Sequence, residues 1–548
     1  MAMRTNESIP KTHADVETWA KQFFAAMNGP ASSEIRYPND AVGLGVMEFD
    51  SVRKWLDELR LATDSECMSV LQGKPLNKDS SIPTATSIKN SIETVRNESH
   101  LVSSEFSKLF KYVELERWTN VRPYTLQVSC HIRSLIHDCN KNIPEPPPYI
   151  IEQQEIVMGE CAKLAQHVER TMTGVRDRAV QVQIVNQLTL LGQSFSRLID
   201  LILGSLVQRI IDMLDDAHSS VILTSAIRTV IGLGLEGEDM CFILAREGAV
   251  RSLFDVCRAD TLDFAHPLAL RALATICCVT ETLLEFEREA GVENITDLLC
   301  DRTTSEAVRG EAAGVIAQIT SPCLDSCQQM AGFVENLDDL LKSLLDLCCR
   351  TKSSEIFLLA TAAIANITFM DSEACECLLK LQAPRLLVHA CSVKKTDSLF
   401  AKDQIATILA NMAAVDSCRN NIIRSNGVEA LLGFLYKRPS CYPSPAHMSA
   451  CERVQQKAAI ALSRLCRDSQ SAHLIVQLKG IPRLVELCRD AKERNNSDAV
   501  LVASLAALRK ICCLCDADVI GHLDYQQLIQ PRLMDSFLMC SHSDENFV

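Results

Sequence analysis

This sequence of 548 residues is poor in aromatics, at 5%, and has only three tryptophans. A core built from Leu, Ile, Val, Ala and Cys with so few rings reads as helical rather than as a β-sandwich. Positive charge is also short. The formal net charge is −14, which argues against a nucleic-acid binder, since phosphates need a basic face. It argues equally against an anionic membrane surface as the main partner. Long apolar runs are missing. The longest, near Leu198–Val207, is about half of what a bilayer needs, and no apolar stretch follows the opening MAMRTNESIPKTH. The sequence therefore predicts a cytosolic or nuclear chain without direct membrane insertion. Cysteine is abundant, at 25. In a reducing compartment a free Cys is a small buried hydrophobe, and Cys277-Cys278, Cys348-Cys349 and Cys512-Cys513 sit in apolar helical runs.

Motifs that carry chemistry are equally scarce. No P-loop, G-x-S-x-G elbow or H-E-x-x-H pair occurs. Gly232, Gly234 and Gly237 fit G-x-G-x-x-G, but no strand pattern precedes them, so they read as the end of a helix. Cys512 and Cys515 have thiolate-pair spacing without a second pair, and His522 alone does not complete a zinc site. No catalytic residue, metal or cofactor is predicted.

What is present is a repeat. Small-residue helices recur as AIRTVIGL (226–233), RALATICC (271–278), AAGVIAQI (312–319), TAAIANIT (361–368), ATILANM (406–412), AIALSRL (459–465) and LAALRKI (505–511). Their near-terminal positions are Gly232, Thr275, Gln318, Asn366, Asn411, Arg464 and Lys510, spaced by 43 to 53 residues. The longest interval holds the loop RPSCYPSPAHMS (438–449). A second motif, Gly followed by a Leu-rich period, recurs at 247–257, 290–300, 426–435 and 479–488. Glycine there is expected to cap one helix and start the next. Units of this length with two or three helices have the armadillo/HEAT period, and the Leu-x-Asn texture favours armadillo. Such units cannot close a core alone; stacking buries a continuous one and leaves a long groove. Asn366 and Asn411 resemble the asparagines with which armadillo proteins hold extended peptides. The competing role is to bond local backbone. Tryptophan is absent from the array, which disfavours an importin-like receptor.

The predicted fold is all-α: an armadillo-type helical solenoid, preceded by a helical region and a flexible N-terminal arm carrying a partner-binding helix. The arm is 1–45, and 46–80 is a linear binding segment. Amphipathic helices and a Pro-rich linker or rigid turn at NIPEPPPYI occupy 81–149. The helical repeat domain is 150–535, and 536–548 is a tail. In the linear segment Val52, Trp55, Leu56 and Leu59 fall at i, i+3, i+4 and i+7, one apolar stripe over two turns. Asp57, Glu58, Asp64 and Glu66 add an acidic edge. A short stripe isolated between polar stretches has to dock, and a Trp with two Leu is a usual anchor set for a helix in a groove. The ending Glu545-Asn546-Phe547-Val548 has the terminal Val that a PDZ domain captures.

Together these segments resemble the Inscuteable family, adaptors of asymmetric cell division. The resemblance is carried by FDSVRKWLDELRLATDSECMSVLQGKP (49–75), FLLATAAIANITFMDSEACECLL (357–379), DQIATILANM (403–412), ACERVQQKAAIALSRLCRD (450–468), ERNNSDAVLVASLAALRK (493–510) and the ending QPRLMDSFLMCS with NFV. It implies that 49–75 binds the TPR superhelix of a Pins/LGN-type protein through Trp55, Leu56, Glu58 and Leu59 on the helix and Glu66, Met68 and Leu71 beyond it. It implies that the array binds a Par/Bazooka-type polarity scaffold, recruiting the complex to the apical cell cortex and orienting the spindle. It also raises a higher-order hetero-oligomer with the TPR protein. The commonest PDZ class wants Ser or Thr where Asn546 stands, a departure from that pattern. The alternatives are another armadillo scaffold, catenin-like or importin-like, or an enzyme concealed in 91–215.

Overall fold

A computed structural model of the chain describes residues 83–529, apart from 144, 174–177, 217–218, 323, 325–332, 393–397, 440–444 and 516–518. Among the described residues there is no strand. The chain divides into two compact units, with the boundary at Ser252/Leu253.

The first unit opens with four long helices: α1 (Pro83–Glu114), α2 (Trp118–Asn142), α3 (Pro148–Thr173) and α4 (Arg178–Asp215). Each packs on the next, and α4 returns to α1, closing a four-helix ring. The Pro-rich stretch is thus a turn inside one unit, and the domain boundary expected at residue 150 falls within the ring. The reason is packing: α1 and α2 cannot bury their stripes without α3 and α4. Phe106 of α1 meets Phe195 of α4 with ring centroids 6.2 Å apart, both fully buried. Buried polar groups are paired across the ring. Glu105 accepts from Gln127 Nε2 at 2.6 Å and lies 2.6 Å from His131 Nδ1. Gln153 Nε2 donates to Ser194 O at 2.8 Å. Gln181 Nε2 donates to Val113 O at 3.0 Å, a carbonyl at the end of α1 that also accepts the Glu116 N–H at 3.2 Å.

Helix α4 is long and apolar enough, by length and composition, to cross a membrane. No single run in it is that long; its charged residues are merely sparse. Helices α5 (Ser220–Gly234) and α6 (Glu238–Arg246) pack against it, and 56% of its apolar window is buried. Gly232 and Gly234 close α5, and Gly237, at φ +139°, precedes α6. The glycine triplet is therefore a helix-to-helix turn.

Helix α7 (Ala249–Arg258) carries the chain over the boundary. The second unit continues with a 3₁₀ turn (Asp260–Ala265) and α8 (His266–Ile276). Then come α9 (Thr280–Arg288), α10 (Gly291–Cys300), α11 (Glu306–Ile319), α12 (Phe333–Arg350), α13 (Ser354–Met370) and α14 (Ser372–Lys380). They are followed by α15 (Ala383–Ser392), α16 (Leu399–Ala414), α17 (Asp416–Arg424), α18 (Gly427–Leu435) and α19 (Pro445–Leu465). The last are α20 (Ser469–Gln477), α21 (Gly480–Arg489), α22 (Asp498–Leu514) and the short α23 (His522–Asp524), which runs into a π turn at Tyr525–Ile529.

This is the armadillo arrangement read from the period. A short first helix, a second helix and a longer third helix repeat as α9–α10–α11, α14–α15–α16, α17–α18–α19 and α20–α21–α22; α12 and α13 supply the second and third helices of a further repeat, and residues 325–332 before them lie outside the described residues. The third helices α8, α11, α13, α16, α19 and α22 pack consecutively, and each carries one of the recurrent runs, although Cys277 and Cys278 of the run at 271–278 fall just past the end of α8. Their small residues let the backbones approach. A Cβ built on Gly310 of α11 would stand 2.8 Å from Ile356 of α13. Serine starts several of these helices: Ser305, Ser353 and Ser497 accept from the N–H groups of Val308, Ile356 and Val500.

The recurrent glycine starts the next helix as expected, but at three of the four sites it does not supply the left-handed cap of the one before. At Gly291, Gly427 and Gly480 the left-handed residue is the one before it: Ala290, Asn426 and Lys479, at φ +50° to +60°. Glycine itself opens the second helix, where there is no room for a side chain. A Cβ on Gly427 would lie 2.4 Å from Ile422 Cγ2 and 2.8 Å from its carbonyl oxygen. Among the four recurrent glycines, Gly248 alone takes the positive φ itself.

Candidate partner-binding site

Val52, Trp55, Leu56, Glu58, Leu59, Glu66, Met68 and Leu71 lie outside the described residues, as do Glu545, Asn546, Phe547 and Val548. The two groove asparagines are described. Asn366 is half-buried, and its Nδ2 donates to Ala317 O at 2.8 Å. Asn411 is buried; its Nδ2 reaches Ala365 O at 3.4 Å and Thr368 Oγ1 at 3.1 Å. Arg464 repeats the pattern, with Nη1 donating to Ala410 O at 3.0 Å. In each case the acceptor is the carbonyl just before the corresponding position of the preceding repeat. The three side chains form a ladder from third helix to third helix. Of the three acceptors Ala317 lies in the last turn of its helix, where a carbonyl has no intrahelical partner, and Ala365 and Ala410 lie just before the last turn of theirs.

Beside this ladder lies a buried charge triad. Asp403 of α16 is 1% exposed and meets Arg453 Nε at 2.8 Å and Lys457 Nζ at 3.1 Å, both on α19. Burial alone would raise the Asp403 pKa, but the Lys457 and Arg453 charges hold it below the usual aspartate range. A second network ties the next repeat. Arg483 of α21 is 1% exposed, donates to Leu435 O at 2.8 Å from Nη2, and pairs with Glu486 and Glu493 at 2.6 and 2.7 Å. Its guanidinium lies 4.6 Å from the Tyr436 ring centroid. Gln455 Nε2 donates to Glu493 O at 2.9 Å, and Asn495 Nδ2 to Gln455 Oε1 at 3.1 Å. The segments ACERVQQ and ERNN, which carry part of the family resemblance, are thus the two sides of one inter-repeat joint.

The second helices frame an open groove of about 1020 Å³ between α15 and α18. Leu386, Val388, Ala430 and Phe434 give it apolar walls, and Lys380, Arg385, Lys402 and Lys437 line it with positive charge beside His389; Glu429 is the acid among its lining residues. Sequence reading missed this surface, because its cations are scattered over 58 positions and form no run. Among the described residues no cluster of His, Cys, Asp and Glu has metal-binding geometry.

Two family profiles match the chain. The family profile of the inscuteable C-terminal region matches residues 98–548, and that of the Inscuteable LGN-binding domain matches residues 47–84. The mouse protein inscuteable homolog is 39% identical over 515 residues, covering 92% of this chain and 89% of the relative. The human homolog gives the same identity and coverage. Among solved structures, a computationally designed armadillo repeat protein for modular peptide recognition aligns at 23% identity. It covers 47% of this chain and 99% of its own, with a TM-score of 0.38. The 47–84 match overlies the Trp55 stripe, so the LGN-type partner expected from the resemblance is supported. The chain belongs to the inscuteable family, as a non-catalytic armadillo-repeat adaptor linked to LGN.

Proposed function

We propose that this adaptor joins a Pins/LGN-type TPR protein to a Par/Bazooka-type polarity scaffold at the apical cell cortex and so orients the mitotic spindle. The observation that carries the reading is the coexistence, in one chain, of an LGN-binding segment at 47–84 and a full repeat region behind it. One end engages the TPR superhelix; the array is left for a second partner, which is what a linker needs. Trp55, Leu56 and Leu59 supply the apolar anchor, with Val52 on the same stripe. Glu58 and Glu66 supply charge, and Met68 and Leu71 extend the contact. The tail Glu545–Val548 is a further route to a PDZ scaffold. A peptide held by Asn411 would use its Oδ1, since both Nδ2 hydrogens are engaged inside the solenoid, whereas Asn366 has spent only one of its two Nδ2 hydrogens there.

Calorimetry of residues 40–80 against a purified LGN-type TPR domain tests the first link. Trp55→Ala is expected to weaken binding roughly 30-fold or more, the scale of a central aromatic anchor. Equal binding by wild type and Trp55→Ala would remove the anchor role. For the second link, full-length protein and a Trp55→Ala variant would be compared in polarised dividing cells. Cortical placement that persists in the variant, with a randomised spindle axis, is the expected result. Loss of cortical placement in the variant would make the TPR protein, not a polarity scaffold, the recruiting partner.

A further inference from the structure

The groove between α15 and α18 stands out by charge. In a chain of net −14, Lys380, Arg385 and Lys437 rim one open surface and form no ion pair with any described residue. Its floor is open as well. A Cβ on Gly433 would meet nothing within 4 Å, and Leu386 is 37% exposed. An apolar trough with a cationic rim fits an acidic peptide that carries a large apolar side chain.

One such peptide leaves the structure on the same side. Residues 524–527 lie against the end of α21: Arg489 Nη2 pairs with Asp524 and donates to Gln527 Oε1 at 2.8 Å. Helix α21 packs beside α18, and α18 beside α15. The chain therefore departs from the row of second helices, one helix away from the groove, and it already uses a cation of that row. Neighbouring helices lie about 8–10 Å apart, so the groove is within roughly 20–30 Å. The 19 residues 530–548 can span up to about 60 Å. They include Asp535, Asp544 and Glu545 against a single Arg532, with Phe547 beside the acid pair.

We propose that residues 530–548 dock in cis along the second helices, placing Asp544 and Glu545 on Lys380, Arg385 and Lys437 and Phe547 on the trough between Leu386 and Phe434. Docked in this way, the tail is withheld from any partner that would capture it in extended form. Release and partner binding then compete, which makes the groove an autoinhibitory surface rather than a cargo site.

The test is fluorescence anisotropy with a labelled peptide of residues 530–548. It is titrated into the full chain and into a chain ending at Ile529. The expected result is binding at least 10-fold tighter to the shortened chain, because the full chain supplies its own competitor. Lys380→Glu with Arg385→Glu in the shortened chain should cut affinity by 10-fold or more. Asp544→Lys with Glu545→Lys in the peptide should do the same without touching the fold. Absence of peptide binding to the shortened chain, equal binding to both chains, or indifference to the charge reversals would each overturn the proposal. So would tail-dependent dimerisation in sedimentation, which would place the tail on a second copy.

Discussion

Asn411 Nδ2 stands 3.1 Å from Thr368 Oγ1 and 3.4 Å from Ala365 O, joining α16 to α13 across more than forty residues of sequence. The contact is buried, so its loss is not repaired by water. Asn411→Ala is expected to cost about 1–3 kcal/mol. Asn411→Asp should cost more, since it sets a carboxylate against the Ala365 carbonyl. Urea midpoints with unchanged slope would measure both. An unchanged midpoint in both variants would show that the ladder adds nothing to the stack.

The triad of Asp403, Arg453 and Lys457 predicts a pH dependence. The folded-state pKa of Asp403 is depressed below about 3.8. Its stabilisation is therefore complete above the unfolded value of ~3.9 and is lost as pH falls through the folded value. Asp403→Asn leaves two cations without their counter-charge in a buried site, at a cost of about 3–5 kcal/mol at neutral pH. The gap between wild type and variant should stay constant from pH 7 to about 5 and shrink below about 3.9. A gap that does not change with acid would refute the assignment of charge to Asp403.

Two glycines of α18 should respond in opposite senses. Gly427→Ala puts a Cβ 2.4 Å from Ile422 Cγ2 and is expected to destabilise by about 1–3 kcal/mol. Gly433→Ala meets open space in a helix and should stabilise by roughly 0.5–1 kcal/mol. Thermal unfolding of the pair separates lack of room from helix propensity, because both substitutions add the same methyl group.

Thiol reactivity should follow burial rather than sequence pattern. Burial pushes Cys139, Cys257 and Cys466 up to about 12, whereas Cys130 and Cys513 are exposed. Alkylation by iodoacetamide at pH 8, read by mass spectrometry, should modify Cys130 and Cys513 at least ~100-fold faster than the buried three. Rapid native-state modification of Cys257 would mean that α7 opens locally.

Much of the fold was legible because it is written locally. A third helix needs small residues, a capping serine and a period of about 45, and each signal lies within a few turns of chain. All seven recurrent runs fall on helices of the predicted kind. The LGN-binding segment was legible for the same reason: its residues are contiguous, and the family profile that matches 47–84 overlies the segment expected at 46–80. The glycine motif was only half readable, since its position is local but the Ile422 side chain that excludes a Cβ is placed by the turn.

The sequence by itself determined the repeat, the helical class and the partner-binding segment, because periodicity and motif are properties of neighbouring residues. Only the tertiary structure decided what Asn366 and Asn411 donate to, that Asp403 faces two cations of the next repeat, and that α1 and α2 close on α3 and α4. It also gathered Lys380, Arg385 and Lys437 around one groove. These arrangements depend on the offset between stacked helices, which brings together residues 40–60 positions apart and leaves no mark on the spacing within any one of them.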